Sequence, residues 1–242
     1  MSLARDLRIV GQLLRGSRGG GEHSARMEQF YAEQAEDYDA FRERLLPGRR
    51  ELLAQLPLPN DAVVADLGGG TGANLEYLPA SAHRHIRSWY VVDLSESLLA
   101  IAARRKARHQ WQHVDIVQGD ATCWQPALAP DLVLFSYSLT MIPDWQGALE
   151  HALRILKPGG HLAVVDFTVS SKRPAAPQVE YGWFTRSFWP RWFAWDGVYL
   201  NPDHLPWLLA RLDRKLLEQA RTRLPFLPGS RVPYYWFIGQ KA

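Results

Sequence analysis

The chain has 242 residues, of which 47% are hydrophobic, and it carries 28 Lys and Arg against 25 Asp and Glu. This size and composition suit one globular domain, or one domain with appendages. A single cysteine, Cys123, excludes an internal disulfide, and no apolar run has the length of a membrane span or of a signal-peptide core. We therefore expect a cytoplasmic protein that can associate peripherally with the inner face of a membrane.

The positive charge is concentrated in the last third of the chain. From residue 167 onwards there are eleven Lys and Arg against five Asp and Glu, which leaves this segment at +6. Basic surfaces attract nucleic acids, anionic lipids or acidic substrates. The net charge by itself does not identify which of these partners binds.

Three helices are predicted before the first strand. Residues 3–15 form an amphipathic pattern, with leucines and a valine on one face and arginines off it. A glycine-rich break at 16–21 separates this helix from helices over about 24–38 and 48–56, and a proline-rich stretch ends the third. We assign residues 1–58 to a helical, membrane-facing N-terminal extension.

From residue 59 onwards, strands and helices alternate, which implies a doubly wound, mostly parallel sheet. Helices are expected to begin near Asn74, Ser95 and Trp145, and a terminal antiparallel hairpin lies at the sheet edge. The predicted fold is a seven-stranded α/β sheet in one domain, residues 59–242, with an aromatic-rich insertion at 174–202. The predicted strands are 63–67, 89–93, 114–118, 132–135, 162–167, 216–222 and 232–240.

A glycine-rich turn joins the first strand to the next helix, and residues 66–72 read Asp-Leu-Gly-Gly-Gly-Thr-Gly. Glycines permit a tight turn and close approach to a ligand, and the helix N-terminus that follows offers free N–H groups. The spacing of Gly68, Gly70 and Ala73 also satisfies the dinucleotide pattern, so NAD(P), FAD and S-adenosylmethionine are all open. Asp66 favours S-adenosylmethionine, because a carboxylate can meet an ammonium but would repel a pyrophosphate.

Polar groups follow the next three strands at the same edge of the sheet. Asp93 ends the second strand, where a carboxylate can accept both hydroxyls of a ribose. Asp120 follows the third strand and can accept a hydrogen bond from an adenine amine, and Ser136 follows the fourth. Helix capping is the alternative role of Asp93. Since ligands of open α/β sheets bind at this edge, the aligned polar groups favour a nucleotide-type site.

These features resemble the class I S-adenosylmethionine-dependent methyltransferases over about residues 31–167. The resemblance rests on the glycine turn, on Asp93, on Gly-Asp-Ala at 119–121 and on Leu-Lys-Pro-Gly-Gly at 156–160, together with the terminal hairpin. It implies S-adenosyl-L-methionine as cofactor, with the glycine turn on its methionine half, Asp93 on its ribose and Asp120 on its adenine. The expected cofactor-binding residues are Asp66, Gly68, Gly69, Gly70, Asn74, Asp93, Leu94, Asp120, Ala121 and Ser136.

The flanking segments resemble a narrower family, the betaine-lipid N-methyltransferases. The likeness lies in residues 23–31, 34–39 and 42–49 and in the last strand at 232–239. The chain departs from that family in the glycine run at 19–21. The resemblance implies successive methylation of the amino group of diacylglyceryl-homoserine, which gives the betaine lipid diacylglyceryl-trimethylhomoserine.

An aromatic-rich stretch independently suits a lipid substrate. Residues 183–195 contain seven aromatic residues and two arginines. Trp and Arg together are typical of a membrane interface, although an aromatic core segment has the same composition. Pro190 argues against one continuous helix here. We expect a peripheral contact with the membrane surface, anchored by Trp189, Trp192 and Trp195.

Methyl transfer to an amine requires alignment of the two groups and exclusion of water. Three tyrosines are candidates for lining the amine, with ordinary packing as the alternative for each: Tyr31, Tyr38 and Tyr137. The carboxylate of homoserine calls for a bidentate arginine, and three arginines are open candidates: Arg49, Arg186 and Arg231.

Other functions stay open. A phosphatidylethanolamine N-methyltransferase would share the cofactor and the membrane surface, and a non-catalytic module would bind cofactor or lipid without turnover. An NAD-dependent oxidoreductase is disfavoured by Asp66 and the terminal hairpin. Nucleic-acid methylation is not expected, because Ser-Tyr-Ser-Leu at 136–139 replaces the Asn/Asp-Pro-Pro-aromatic motif of enzymes that act on base amines.

No metal is expected, since acidic or thiol partners at ligand spacing are missing beside His83, His85, His109 and His113.

Overall fold

The computed structural model describes residues 46–195, 197–224 and 230–242. The predicted helices at 3–15 and 24–38 lie outside these residues, as does the glycine run between them. The third predicted helix is present but shorter than expected.

Strands and helices alternate along the described chain, with 3-10 turns at Ala82–His85 and Leu139–Met141. In chain order the elements are α1 (Arg49–Leu53), β1 (Ala62–Leu67), α2 (Asn74–Tyr77), β2 (Ile86–Asp93), α3 (Glu96–His109), β3 (Val114–Gln118), β4 (Leu132–Ser136), α4 (Trp145–Ile155), β5 (His161–Phe167), α5 (Trp183–Ala194), α6 (His204–Arg211), β6 (Asp213–Thr222) and β7 (Val232–Gln240).

One seven-stranded sheet organises these elements in the order β3-β2-β1-β4-β5-β7-β6. The first five strands are parallel, whereas β7 runs antiparallel to both β5 and β6. The predicted α/β fold and the terminal hairpin at the sheet edge are therefore confirmed. Because β1 to β5 are parallel, their carboxyl ends meet at one edge of the sheet, where the predicted site residues lie.

The central strands are buried because helices cover both faces of the sheet. All six residues of β1 and all five of β4 are buried. Polar caps set where the flanking helices begin: the Ser95 hydroxyl accepts from the Leu98 amide at 3.3 Å before α3, and Asp144 accepts from the Gly147 amide at 2.9 Å before α4. The core thus holds the sheet rigid while its carboxyl edge carries polar groups.

Helix α5 differs from the prediction, because it runs unbroken through Pro190. Proline cannot donate a hydrogen bond to the carbonyl four residues earlier, so an internal proline usually weakens a helix. Packing compensates here: Trp189 is 2% exposed in the core, and Phe193 packs against the same cluster. The Arg191 guanidinium also donates to the Ser187 carbonyl at 2.6 Å, within the turn that contains the proline. Among the helices that the structure describes, none is long and apolar enough to cross a membrane.

Candidate active site

The glycine turn after β1 has the backbone conformation that its sequence predicts. Gly68, Gly70 and Gly72 have φ angles of +70°, +55° and +69°, a region that side chains disfavour. A Cβ atom on Gly68 would also overlap the Ser138 side chain, whereas one on Gly70 would come no nearer than 3.5 Å to Leu98. The turn is therefore built from glycine both for its conformation and for close packing. The amides of Gly68 and Gly69 donate to the Val92 carbonyl at 2.8 and 3.0 Å, which holds the turn against the end of β2.

Asp93, at the end of β2, ties this turn to the start of α3. One carboxylate oxygen accepts from the Gly70 amide at 2.9 Å, and the other accepts from the Ser95 amide at 2.9 Å. Each carboxylate oxygen can accept more than one hydrogen bond, so capacity for ribose hydroxyls is left. The capping role and the predicted ribose role are thus compatible at this residue, and the ribose contact stays a prediction.

Asp66 lies below the turn, with no exposed surface. Its two carboxylate oxygens accept from the Asn74 amide at 3.1 and 2.9 Å. Burial raises the pKa of Asp66 to about 7, although the Asn74 hydrogen bond opposes this rise. We expected Asp66 to point into the crevice and meet an ammonium, but the structure places it beneath the crevice wall, where it supports the turn through Asn74.

The ends of β2 and β3 form the side of the site predicted for adenine. Leu94 is 41% exposed, and its carbonyl accepts from the Gln118 side chain at 3.3 Å. Asp120 is exposed, and one of its oxygens accepts from the amide and hydroxyl of Thr122 at 2.8 and 2.7 Å. An exposed apolar side chain beside a carboxylate with spare acceptor capacity suits a flat ring with an exocyclic amine. Ala121, the next residue, is buried behind Asp120.

Ser136 ends β4 with a buried hydroxyl that has no hydrogen-bond partner among the described residues. Buried polar groups are normally paired, so this hydroxyl is available to a ligand at the carboxyl edge. Ser138, two residues on, instead donates to the Leu67 carbonyl at 2.7 Å and fixes the end of β1. The glycine turn, the exposed Leu94 and the Ser136 hydroxyl, which has no partner among the described residues, together fit a cofactor that has an amino-acid part and a nucleoside part.

Tyr137 is positioned as a support and not as an exposed wall residue. It is 3% exposed, and its hydroxyl donates to the Pro47 carbonyl at 2.6 Å. Its φ of +55° is unusual for a residue other than glycine, which is typical of constrained positions near functional sites. Burial, together with the charge of Asp166, raises the pKa of Tyr137 well above its ordinary value. The hydroxyl is therefore engaged and protonated, contrary to its expected place beside the amine.

The other two predicted tyrosines, Tyr31 and Tyr38, lie outside the described residues. The predicted arginines are separated by the fold. Arg49 lies over the Tyr77 ring at 5.0 Å, and Arg231 is exposed. Arg186 is half-buried on α5, and its buried Nε has no hydrogen-bond partner within the part of the chain that the structure describes.

Sequence reasoning missed Asp166, near the end of β5. This fully buried carboxylate accepts from the amide and hydroxyl of Thr140 at 3.0 and 2.8 Å, and from the Phe167 amide at 2.8 Å. It fixes the 3-10 turn after β4, and with it the wall around Tyr137. The available signal was its position, since it is an acidic residue close to a strand end like Asp66 and Asp93.

A chain of aromatic contacts joins α5 to this wall. Tyr137 meets Phe167 edge-on at 4.9 Å between ring centroids, and Phe167 meets Phe193 at 4.8 Å. Phe193 in turn lies 5.9 Å from Trp189. Sequence reasoning placed the aromatic stretch near the site but not this path. The path brings the apolar helix to the edge where β4 and β5 end.

The histidines have other partners. His83 and His109 both stack on Trp111, at 5.5 and 4.5 Å, and His109 pairs with Glu76 at 2.9 Å. Within residues 46–195, 197–224 and 230–242, no group of three or more His, Cys, Asp or Glu is arranged to hold a metal.

Comparison with known proteins identifies the family. Residues 37–220 match the family described as "Methyltransferase domain". Two trans-aconitate 2-methyltransferases are similar: one from an Azoarcus species, 34% identical over 130 residues (53% of this chain, 48% of that protein), and one from Variovorax paradoxus, 37% identical over 124 residues (50% and 44%). The chain therefore spans about half the length of the curated relatives it matches.

A solved structure agrees in fold. The N-methyltransferase NodS from Bradyrhizobium japonicum WM9, in complex with S-adenosyl-l-homocysteine, has a TM-score of 0.64 at 17% identity and covers 88% of this chain and 97% of its own. At this identity the likeness concerns the fold. The match over three quarters of the chain shows that this protein belongs to the methyltransferase-domain family.

Proposed function

We propose that this methyltransferase successively methylates the amino group of diacylglyceryl-homoserine to form diacylglyceryl-trimethylhomoserine. The resemblance of residues 23–49 and of β7 to the betaine-lipid N-methyltransferases supports this acceptor. The structural observation that carries the proposal is the aromatic helix α5, which exposes Trp183 and Phe184 and contacts Phe167, at the end of β5, through Phe193. Its exposed rings offer a lipid an apolar approach beside this edge of the sheet. A diacyl lipid needs such an apolar approach, whereas a small soluble acid does not.

The chain's own residues would hold the cofactor at the carboxyl edge. The glycine turn would lie against the methionine part, Asp93 would receive the ribose hydroxyls, Asp120 would receive the adenine amine and the Ser136 hydroxyl would supply a further hydrogen bond. When bound, S-adenosylmethionine supplies an activated methyl group on a sulfonium. The protein then has to align the acceptor and exclude water, which the buried wall around Tyr137 and Phe167 does.

An amine must lose its proton before it can accept a methyl group. An apolar, aromatic wall favours the neutral amine, because burial disfavours the ammonium form. After transfer the nitrogen is positively charged, and the faces of Phe167 and Phe193 are placed to stabilise it through cation–π contacts. Repeated transfer is compatible with this arrangement, since rings make no hydrogen bond that a quaternary nitrogen would lose.

Arg186 is the arginine best suited to the acceptor's carboxylate. It lies on the same face of α5 as Trp189 and Phe193, because the three residues are spaced by three and four positions. Its buried Nε has no partner among residues 46–195, 197–224 and 230–242, and leaving a buried charged donor unpaired is unfavourable. A carboxylate would satisfy it with two parallel hydrogen bonds.

A carboxylic acid is the second candidate acceptor. The matched relatives are named for trans-aconitate, and a methyl ester would form if the carboxylate were the nucleophile. Arg186 would then hold a neighbouring carboxylate of the same acid. Phosphatidylethanolamine is a third candidate that shares the amine and the apolar tails but presents a phosphate.

The decisive experiment is mass spectrometry of lipids from a host that expresses this chain, with and without an enzyme that makes diacylglyceryl-homoserine. Trimethylated product only when both are present supports the proposal. Methylated phosphatidylethanolamine with this chain alone would assign the phospholipid acceptor. A parallel assay of the purified protein with trans-aconitate tests the ester reaction, and a methyl ester formed in the absence of any lipid product would overturn the lipid proposal.

A further inference from the structure

Helix α5 has two apolar faces, and only one of them is covered. Trp189 is 2% exposed and Phe193 packs on the core, so these residues define the inner face. Phe184 and Trp195 are 62% and 71% exposed. Because they are eleven residues apart, they lie on one face of the helix, with Arg191 between them. Trp189 is half a turn away from this outer face.

The exposed surface continues beyond the helix. Trp183 at its start is 74% exposed, and Tyr199 shortly after its end is 55% exposed. We call Trp183, Phe184, Trp195 and Tyr199 the outer aromatic surface. Four large exposed aromatic side chains on and just after one helix indicate an interaction site, because exposed hydrophobic residues are usually single and scattered.

We propose that the outer aromatic surface docks the protein on an anionic lipid bilayer, with α5 lying in the plane of the interface. Indole and phenol rings combine an apolar body with a polar edge, which suits the depth of lipid headgroups. Phe184 and Trp195 are separated by about 16 Å along the helix axis, long enough for a helix to lie flat on the interface.

The surrounding charges fit an anionic partner. Arg191 is exposed between the aromatic residues, and Lys172 and Arg173 are exposed in the segment that leads to α5. From residue 167 onwards the chain carries a charge of +6. Cations close to an anionic membrane are attracted to it, so this surface is suited to lipid headgroups and poorly suited to an acidic protein segment that lacks apolar groups.

Docking through α5 adds a membrane-binding surface to the proposed function. It depends on that function for the identity of the lipid substrate. The inner face of α5 leads through Phe193 and Phe167 to the wall beside Ser136, while the outer face would rest on the bilayer. A bilayer under the outer face would therefore lie against the same helix that packs on the end of β5. The position of the anchor also corrects the sequence expectation: Trp195 belongs to it, but Trp189 is buried in the core.

The test is sedimentation of the full-length protein with vesicles of phosphatidylcholine, with and without phosphatidylglycerol. We expect wild-type protein to bind the anionic vesicles. The double variant Phe184→Ser with Trp195→Ser should bind at least about tenfold more weakly, because it removes two interfacial rings. Both side chains are exposed, so cofactor affinity and thermal unfolding should be unchanged.

A charge-matched pair controls for simple electrostatics. Arg191→Glu should weaken binding to anionic vesicles, whereas Arg104→Glu, on an exposed position of α3, changes the net charge equally and should not. The inference fails if the double variant binds like wild type, if both charge variants lose binding equally, or if the protein is a dimer that the double variant converts to a monomer.

These vesicles contain no diacylglyceryl-homoserine, so the experiment is independent of the acceptor. Methyl transfer to the deacylated headgroup, glyceryl-homoserine, tests the chemistry without a membrane. Vesicle binding without transfer would uphold the docking surface and overturn the acceptor. Methyl transfer without vesicle binding would uphold the acceptor and overturn the docking surface.

Discussion

The side-chain amide of Asn74 donates to both carboxylate oxygens of the fully buried Asp66, at 3.1 and 2.9 Å. This contact joins the first residue of α2 to the end of β1, on either side of the glycine turn. It holds a carboxylate in a place where burial raises the pKa of Asp66 to about 7. The glycine turn, which is predicted to hold the cofactor, therefore lies beside a carboxyl group whose pKa is close to neutral pH.

Asp66→Asn should remove a pH dependence of stability. The folded-state pKa of about 7 exceeds the ordinary value of 3.8, so the contribution of protonated Asp66 is fully present below about pH 4 and is lost as the pH rises to about 7. Wild-type protein without cofactor should thus lose up to ~4 kcal/mol over this range relative to the variant. Urea unfolding of both proteins at pH 5 and pH 8 measures the difference. If the stability of the two proteins changes equally between the two pH values, Asp66 is not the source of the pH dependence.

Asp93→Ala should weaken cofactor binding by about 1.5–3 kcal/mol, since charge-assisted hydrogen bonds to the ribose are lost and the Gly70 amide loses its acceptor. Isothermal titration calorimetry with S-adenosylhomocysteine gives the affinity. Asp115→Ala is the matched control, because Asp115 is an exposed carboxylate on β3 that accepts from the Ser88 hydroxyl. Equal affinities for wild type and Asp93→Ala would rule out the ribose assignment.

Gly68→Ala should destabilise the fold more than Gly72→Ala does. Gly68 and Gly72 both have positive φ, so alanine costs about 1–2 kcal/mol at either position. At Gly68 the new Cβ also overlaps Ser138, whereas at Gly72 it reaches an ordinary 3.5 Å contact with Ala102. Gly68→Ala should therefore destabilise the fold by a further ~1–3 kcal/mol. Chemical unfolding of the two variants measures the loss of stability in each. Equal losses would mean that the Ser138 side chain moves aside.

Arg186→Gln should raise the KM for glyceryl-homoserine by roughly 10- to 100-fold, the loss expected for a charge-assisted pair with a carboxylate. Cofactor affinity should stay unchanged. Arg186→Lys should recover only part of the effect, because an ammonium does not make the two parallel hydrogen bonds. Arg191→Gln, on the outer face of the same helix, is the control with this soluble acceptor. An unchanged KM in Arg186→Gln would assign the carboxylate to another residue.

His204 should limit stability in acid. Burial lowers its pKa to about 4, and neither ring nitrogen has a hydrogen-bond partner among the described residues. Neutral His204 contributes stability above about pH 6.5 that is lost as the pH falls towards 4, by up to ~3 kcal/mol. His204→Phe keeps a ring against Trp145, which the histidine meets at 4.6 Å, and should flatten this loss. Thermal unfolding between pH 4 and pH 7 compares the two proteins, and the same decline in both would refute the assignment.

Local sequence patterns determined most of the fold. The central strands β1, β4 and β5 are short apolar runs, and the glycine turn fixes where β1 ends, because few other residues adopt its positive φ angles. The alternation of strands and helices then implies a parallel sheet whose carboxyl ends align. Asp93, Asp120 and Ser136 could be placed at one edge for this reason alone.

Only the tertiary structure decided which groups are free to act. Tyr137 and Asp66 have suitable chemistry and position in the chain, yet burial engages the hydroxyl of one with Pro47 and the carboxylate of the other with Asn74. The two faces of α5 are both aromatic, so periodicity could not tell the buried Trp189 from the exposed Trp195. The amino-acid sequence determines which side chains α5 carries. Packing against Phe167 and the rest of the core determines which face of the helix is buried and which is left for a partner.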